Sequence, residues 1–93
     1  MNFKVIWTSR FKKDYKLAEK RGLDMELIDN VIRMLARGEV LPQVFDDHSL
    51  SSNWNGYREC HIRPDWLLIY KIDEDNLVLA LTRTGTHSDL FGK

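Results

Sequence analysis

Two apolar runs of strand length, separated by a short polar turn, most constrain how this chain can fold. The runs are residues 66–72 and 77–82, with Asp-Glu-Asp-Asn at 73–76 between them. This pattern predicts a β-hairpin, and such dense apolar strands must be covered by other elements on at least one face. Residues 57–62 can form a preceding strand, because the Arg-Pro-Asp step at 63–65 predicts a turn. We therefore expect an antiparallel meander in the second half.

The first half of the chain predicts the helices that can provide this cover. Residues 3–7 alternate in the manner of a short strand. Residues 10–21 then have the spacing of an amphipathic helix, which Gly22 can end in the left-handed conformation. Asp24 can cap a second helix that ends at Gly38. The expected fold is α+β, a small antiparallel sheet with an N-terminal helical hairpin packed on one face.

Length and composition bound the class of protein. A chain of 93 residues is expected to form a single domain, residues 1–93. Its 14 Lys and Arg balance 14 Asp and Glu, which excludes a polycationic coat protein. The longest apolar run, residues 66–70, is far shorter than the roughly 20 residues of a membrane span, and no signal peptide is apparent. The lone Cys60 is typical of a reducing compartment, so we predict a cytoplasmic protein.

Charge is unevenly distributed along this neutral chain. Residues 10–21 carry six basic side chains, Lys13 and Lys16 among them, and two acidic ones. Residues 24–39 carry four acidic and two basic side chains. The first helix can therefore present an ordinary solvated face, or it can be a docking surface for phosphate groups or an acidic partner. The residues alone leave both interpretations open.

All three histidines lie in the loop-and-strand half of the chain, at His48, His61 and His87. Asp65 follows the turn after the His61 strand, and Arg83 precedes His87 by four positions. Meander connections can bring these polar strand ends together. Imidazole transfers protons near neutral pH, and arginine supplies a permanent positive charge for phosphate. The set suits acid–base chemistry on a phosphodiester, although the same residues could serve as surface and capping groups.

Metal binding and base stacking are two other functions that these residue types could serve. Cys60 and His61 are adjacent in a predicted strand, so they point to opposite faces and cannot share one ion. Paired cysteines and His-x-x-x-His spacing are absent, so we predict neither a metal nor another cofactor. Four aromatic residues could stack on bases or fill the core: Trp54, Tyr57, Trp66 and Phe91. Trp66 and Phe91 adjoin the polar cluster in sequence, which favours stacking for those two.

The second half contains four stretches whose ordered combination is specific, although no single stretch is. They read DHSL at 47–50, WNGYR at 54–58, HIRPDWLLIYK at 61–71 and RTGTHSDLFG at 83–92. With these stretches in this order, and with a strand, two helices and a meander, the chain closely resembles the YafQ branch of the RelE-type toxins, in the RelE/ParE superfamily. The resemblance covers essentially the whole chain.

The resemblance implies a toxin of a type II toxin–antitoxin system that enters the ribosomal A site and cuts messenger RNA without metal. The family's functional positions match seven residues here: the catalytic His48, His61, His87 and Asp65, the phosphate-binding Arg83, and the aromatic helpers Trp66 and Phe91. The implied reaction is attack of a 2′-hydroxyl on the adjacent phosphate, which leaves a 2′,3′-cyclic phosphate and a 5′-hydroxyl. It requires a base, an acid and positive charge on the phosphoryl oxygens. The implied partner is an antitoxin similar to DinJ or RelB, whose acidic C-terminal segment would bind in a toxin–antitoxin hetero-oligomer.

Two alternatives stay open. One is a gyrase-poisoning toxin on the same fold, which would need no acid–base set, and the other is a catalytically inert module that only binds antitoxin. The joint presence of three histidines and Asp65 argues against the first. The alternation of side chains along a strand limits where Arg83 can lie. Arg83 falls on the same face as Leu79 and Leu81, which should face the helices. Arg83 must therefore lie beyond the regular strand, or beyond a bulge, to reach the site.

Overall fold

The computed structural model describes residues 2–92, so Met1 and Lys93, the ends of the predicted domain, lie outside the described residues. The described elements follow one another in this order: β1 (Lys4–Trp7), α1 (Ser9–Lys20), α2 (Met25–Ala36), β2 (His48–Ser49), β3 (Arg58–Arg63), β4 (Trp66–Asp73), β5 (Val78–Gly85) and α3 (His87–Phe91). Two 3₁₀ turns, Gln43–Phe45 and Ser52–Trp54, flank β2. The predicted α+β fold is confirmed.

The five strands form one sheet in the order β1-β5-β4-β3-β2. The pairs from β2 to β5 are antiparallel, as predicted. In contrast, β1 pairs with β5 in parallel, so that Lys4 lies opposite Val78. The sheet is therefore mostly antiparallel, and its one parallel pair, at the β1 edge, is a feature that the sequence did not predict. A parallel neighbour requires a long crossover connection, and the chain between β1 and β5 provides it.

Helices α1 and α2 begin and end where the sequence predicts. The Thr8 side chain accepts the Phe11 N–H at the start of α1, and the Asp24 side chain accepts the Glu26 N–H at the start of α2. Gly22, with φ of 80°, provides the left-handed residue between them. These local signals are sufficient to predict the helix ends, because caps form hydrogen bonds with the backbone N–H and C=O groups that have no partner inside the helix. No helix within residues 2–92 is long and apolar enough to cross a membrane.

The helices pack on one face of the sheet and form the larger core there, as predicted. Buried residues from both layers meet in this core, including Phe11, Ile28, Leu68, Tyr70 and Leu79. The opposite face has its own smaller cluster of buried side chains, Leu67, Ile69 and Leu90. Half-buried residues from α3 and the loop after β2 close that face: Leu50, Trp54, Tyr57 and Phe91. The second face thus has a small apolar cluster of its own.

A bulge in β5 changes which residues share a face. Ile69 pairs with Arg83, whereas its neighbour Tyr70 pairs with Leu81, so Thr82 is the extra residue. Because paired residues leave the sheet on the same side, the Arg83 side chain starts on the face of Ile69, opposite the core beneath the helices. The bulge expected from the strand parity of Arg83 is therefore present. The side chain nevertheless turns back to α1, where its guanidinium pairs with Asp14.

Candidate active site

Asp65 and His87 form the tightest polar contact on the second face. Asp65 lies in the turn between β3 and β4, and His87 is the first residue of α3. The His87 backbone N–H donates to Asp65 Oδ1 at 2.9 Å, and His87 Nδ1 lies 2.6 Å from the same oxygen. Hydrogen bonds from the backbone and ring of His87 lower the pKa of Asp65. Because an ionised carboxylate only accepts, Nδ1 carries the proton and Nε2 is left for a substrate.

The other two histidines share a buried carboxylate, Glu59. His48 on β2 pairs with Glu59 on β3, and His61 follows two positions later on the same face. Glu59 Oε1 lies 3.2 Å from His61 Nε2 and 3.6 Å from His48 Nε2. Glu59 is only 5% exposed. Glu59 is not among the residues predicted from the sequence, although its i, i+2 spacing to His61 in a predicted strand was a usable signal.

The three imidazole rings form a row across the second face. The ring centroids of His48 and His61 are 6.2 Å apart, and those of His61 and His87 are 5.8 Å apart. Asp65 contacts the His87 end of the row, and Glu59 lies at the other two rings. The structure therefore brings together four of the residues singled out in the sequence, and it adds Glu59 to them. The row has proton donors and acceptors spaced closely enough to act on one small group.

The segment that carries His48 is held to the sheet by hydrogen bonds at Asp47. Asp47 accepts a hydrogen bond from the hydroxyl of the fully buried Tyr70 and another, at 3.2 Å, from Arg58 Nη2. Burial raises the pKa of Tyr70, so its hydroxyl remains a donor. His48 Nδ1 in turn donates to the backbone carbonyl of Asp46 at 2.7 Å. This chain of contacts fixes the ring before any ligand arrives.

Arg83 is held by α1 and makes no contact with the row of imidazoles. Its Nε and Nη2 donate to the two carboxylate oxygens of Asp14 at 2.8 and 3.2 Å. The side chains of Arg83 and Asp14 are only 16% and 10% exposed. Both line a cavity of about 290 Å³ that Asp65 and Trp66 also line. Arg83 is thus near the Asp65 end of the site, with its guanidinium oriented by a carboxylate.

The predicted stacking and basic residues differ in their accessibility. Trp66 is 3% exposed in the helix-side core, and its indole N–H donates to Thr84 Oγ1 at 3.0 Å. This burial argues against the stacking role predicted for Trp66. Phe91 is half-buried beside His87 in an open cleft. Lys13 and Lys16 are exposed on α1.

The described residues offer no obvious metal centre. Within residues 2–92, no three His, Cys, Asp or Glu side chains converge in a way that could hold an ion. Cys60 is fully buried on the helix side, and burial raises the pKa of its thiol. Cys60 therefore acts as a small apolar residue, in keeping with its packing.

Comparison with known proteins decides the family. Residues 3–92 match the family model described as bacterial toxin of type II toxin-antitoxin system, YafQ. The chain belongs to the YafQ family of toxins. It is 45% identical over 89 residues to the mRNA interferase toxin YafQ of Escherichia coli strain B/BL21-DE3, covering 95% of both chains. It is 42% identical to the YafQ of strain K12, again over 95% of both. These relatives give the gyrase-poisoning alternative no support.

Several solved toxin structures share this fold. YafQ from E. coli BL21(DE3) superposes with a TM-score of 0.91 at 42% identity, covering 97% of this chain and 99% of that one. The toxin in the E. coli DinJ–YafQ complex gives a TM-score of 0.89 at 43% identity, with the same coverage. A metal-bound toxin from Helicobacter pylori gives 0.89 at 37% identity, covering 98% of this chain and 100% of that one. The family and fold that the sequence predicted are confirmed.

Proposed function

We propose that this YafQ-family toxin is an mRNA interferase, a single-domain endoribonuclease that cuts messenger RNA in the ribosomal A site. The observation that carries the proposal is the row of three imidazoles, with ring centroids 6.2 and 5.8 Å apart, beside the carboxylates of Glu59 and Asp65. Two E. coli relatives at 45% and 42% identity are named mRNA interferase toxins. Ribosomes work in the cytoplasm, which is therefore where we place the toxin.

His87 acts as the general acid. Asp65 accepts the Nδ1–H, so the acid is the doubly protonated ring, whose Nε2–H gives a proton to the leaving 5′-oxygen. Asp65 also fixes the backbone at the start of α3 through the His87 N–H. A ring fixed on both sides loses little freedom when substrate binds, which favours proton transfer at a defined atom.

Either His61 or Glu59 removes the proton from the 2′-hydroxyl. Their polar atoms lie 3.2 Å apart, so a proton taken by one can be shared with the other. The rings of His61 and His87 are adjacent, and a phosphodiester laid across the row reaches both. His48, held by Asp46 and Glu59, assists at the same end. The attack then forms the 2′,3′-cyclic phosphate while His87 protonates the departing oxygen.

Arg83 stabilises the negative charge that develops on the phosphoryl oxygens. Asp14 occupies its Nε and Nη2, which leaves Nη1 to donate to a phosphate. Both Arg83 and Asp65 line the same cavity, which supports a position for Arg83 at the acid end of the row. No resident metal is needed in this scheme, because the imidazoles move the protons and Arg83 supplies the charge.

A cognate antitoxin similar to DinJ binds the basic face of α1 through an acidic C-terminal segment. The toxin chain of the solved DinJ–YafQ complex is 43% identical to this chain. Four lysines of α1 are exposed and make no ion pair among the described residues: Lys12, Lys13, Lys16 and Lys20. When antitoxin is absent, Lys13 and Lys16 bind phosphates of RNA.

The double substitution Lys13→Glu with Lys16→Glu is expected to weaken antitoxin binding at least tenfold, and Lys4→Glu on β1 is the matched control. Equal binding by both variants contradicts this surface.

Cleavage of messenger RNA on preassembled ribosome complexes tests the proposed function. The wild-type chain is expected to leave 2′,3′-cyclic phosphate ends, and His87→Ala to cut at least about 100-fold more slowly. Ser88→Ala, the exposed neighbour, serves as the control and keeps the wild-type rate. A folded His87→Ala protein that cuts normally removes His87 from the mechanism. Absence of cutting by the wild type favours the inert antitoxin-binding module, and loss of cutting with a zinc-selective chelator overturns the metal-free scheme.

A further inference from the structure

A cleft beside His87 has no role in the proton transfers proposed above. Its lining residues are Ser51, Ser52, Asn53, Trp54, His87, Leu90 and Phe91. Its volume of about 750 Å³ is within the range of small-molecule sites and is ample for one nucleoside. Since His87 lines both this cleft and the imidazole row, any ligand in the cleft lies next to the proposed acid.

The apolar wall of the cleft consists of aromatic rings that contact one another. Trp54 contacts Phe91 edge to face, with ring centroids 6.4 Å apart and planes at 84°. On its other side Trp54 contacts Tyr57 in the same manner, at 5.4 Å and 89°. Both Trp54 and Phe91 remain half-exposed. Aromatic rings that are braced by neighbours and still accessible are suitable platforms for a nucleobase.

The polar wall of the cleft is ordered but unpartnered. Within the described residues, the side chains of Ser51, Ser52 and Asn53 make no hydrogen bond, and all three are exposed. Their backbone is nevertheless fixed, because Trp54 N–H donates to the Ser51 carbonyl at 3.1 Å and Asn55 N–H donates to the Ser52 carbonyl at 3.0 Å. A carboxamide offers both donors and an acceptor, which is what the edge of a base requires.

We propose that this cleft binds the base of the nucleotide on the 3′ side of the cut, stacked against Trp54 and Phe91, with its edge read by the Asn53 carboxamide. The 3′ side follows from His87, which protonates the 5′-oxygen of that nucleotide. This inference rests on the proposed function and adds a specificity-determining residue to it. A preformed wall of braced rings, on a loop whose backbone is already ordered, selects among bases without the entropy cost of ordering that loop.

The test compares two asparagines of the same loop. Asn53 lines the cleft and Asn55 does not, although both are exposed. Cutting is measured on ribosome complexes whose nucleotide 3′ to the cut is each of the four bases in turn. Asn53→Ala is expected to reduce the preference among bases about tenfold, the value of one hydrogen bond, whereas Asn55→Ala keeps the wild-type preference. An unchanged preference in Asn53→Ala, or an equal loss in Asn55→Ala, overturns the inference.

A binding experiment separates this inference from the proposed function. A ribodinucleotide made uncleavable by a 2′-deoxy substitution is titrated into the wild-type chain, and the indole N–H signals are followed by NMR. The Trp54 signal is expected to shift, and that of Trp7, which packs against the helix-side core, is expected to stay. If the chain does not cut RNA but the Trp54 signal still shifts, the proposed function is wrong and nucleotide binding in the cleft is supported. If the chain cuts RNA and the Trp54 signal does not shift, the inference that the cleft binds a base is wrong.

Discussion

Arg83 on β5 and Asp14 on α1 form a two-pronged ion pair between elements far apart in the sequence. The two donor–acceptor distances are 2.8 and 3.2 Å, and Asp14 Oδ2 also accepts the Thr84 backbone N–H at 3.2 Å. One carboxylate therefore ties α1 to the strand just beyond the bulge. Asp14 touches no atom of the imidazole row, yet it determines how the Arg83 guanidinium is presented to a phosphate.

Replacing Asp14 by Asn is expected to lower kcat more than it raises KM, because Arg83 loses its fixed orientation but keeps its charge. The free energy of unfolding is expected to fall by about 2 kcal/mol, since a mostly buried arginine loses its counter-charge. Steady-state cleavage and urea unfolding measure the two effects. Arg10→Ala is the control, because Arg10 is 3.8 Å from Asp14 and 64% exposed. An Asp14→Asn variant with normal kcat contradicts the positioning role.

Glu59→Gln is expected to reduce kcat by about 100-fold. The amide keeps the shape and can still contact His61, but it neither accepts a proton nor stabilises a protonated ring. Steady-state cleavage measures kcat. Glu74→Gln, in the exposed turn before β5, should leave kcat unchanged. If Glu59→Gln retains the wild-type kcat, Glu59 is only a structural residue.

Asp89 is expected to make part of the stability depend on acid pH. A hydrogen bond from Arg21 and one from the Thr86 backbone lower the pKa of Asp89 to about 2. A carboxyl group whose pKa is depressed on folding contributes stability above its unfolded pKa, about 4, and loses it as the pH falls towards the folded value. Thermal melts between pH 5 and 2 should therefore show a shallower acid decline in Asp89→Asn than in the wild type.

The control for this measurement is Asp75→Asn, in the exposed β4–β5 turn. Asp75→Asn should decline with acid as steeply as the wild type does. Parallel curves for Asp89→Asn and the wild type would show that the Arg21–Asp89 contact contributes nothing to the acid limb.

Gly85→Ala is expected to displace α3. A Cβ at position 85 would lie 2.9 Å from both Cβ and Oδ2 of Asp89, closer than side-chain atoms normally approach. The helix must move to relieve this contact, at a cost of about 1–3 kcal/mol, and His87 moves with it. Cleavage should fall at least tenfold. Gly22→Ala is strained by its φ of 80° but meets no atom within 4 Å, so it should lose stability without losing activity.

The apolar runs predicted the hairpin well because burial on a sheet leaves a local period in the sequence. The observed strands Trp66–Asp73 and Val78–Gly85 begin within one residue of the predicted ones, although β5 continues past the bulge. The same period accounts for the burial of Trp66. Trp66 alternates with Leu68 and Tyr70, which places it on the helix side whatever its polar neighbours in sequence.

Two features depended on contacts that local patterns do not specify, and a third was not predicted although its signal is local. The parallel partner of β1 lies at the far end of the chain. Helix α3 has only five residues, but the capping box between Thr86 and Asp89 that begins it is a local signal. The position of Glu59 between two histidines depends on the register of β2 against β3, and β2 is only two residues long. The sequence identified the three histidines as candidates because imidazole has a specific chemistry. The distances between their rings could be known only from the fold.

The parallel pairing of β1 with β5 also has a consequence for the order in which the chain folds. Pairs such as Lys4 with Val78 close a loop that includes almost the whole chain, whereas the β4–β5 hairpin closes across a few residues. Loop-closure entropy makes the distant pairing the slower event, so we expect β1 to dock last. Until then β5 has an open edge whose backbone groups can pair with any extended peptide. A newly made molecule is therefore most vulnerable to misassembly at the edge that β1 later covers.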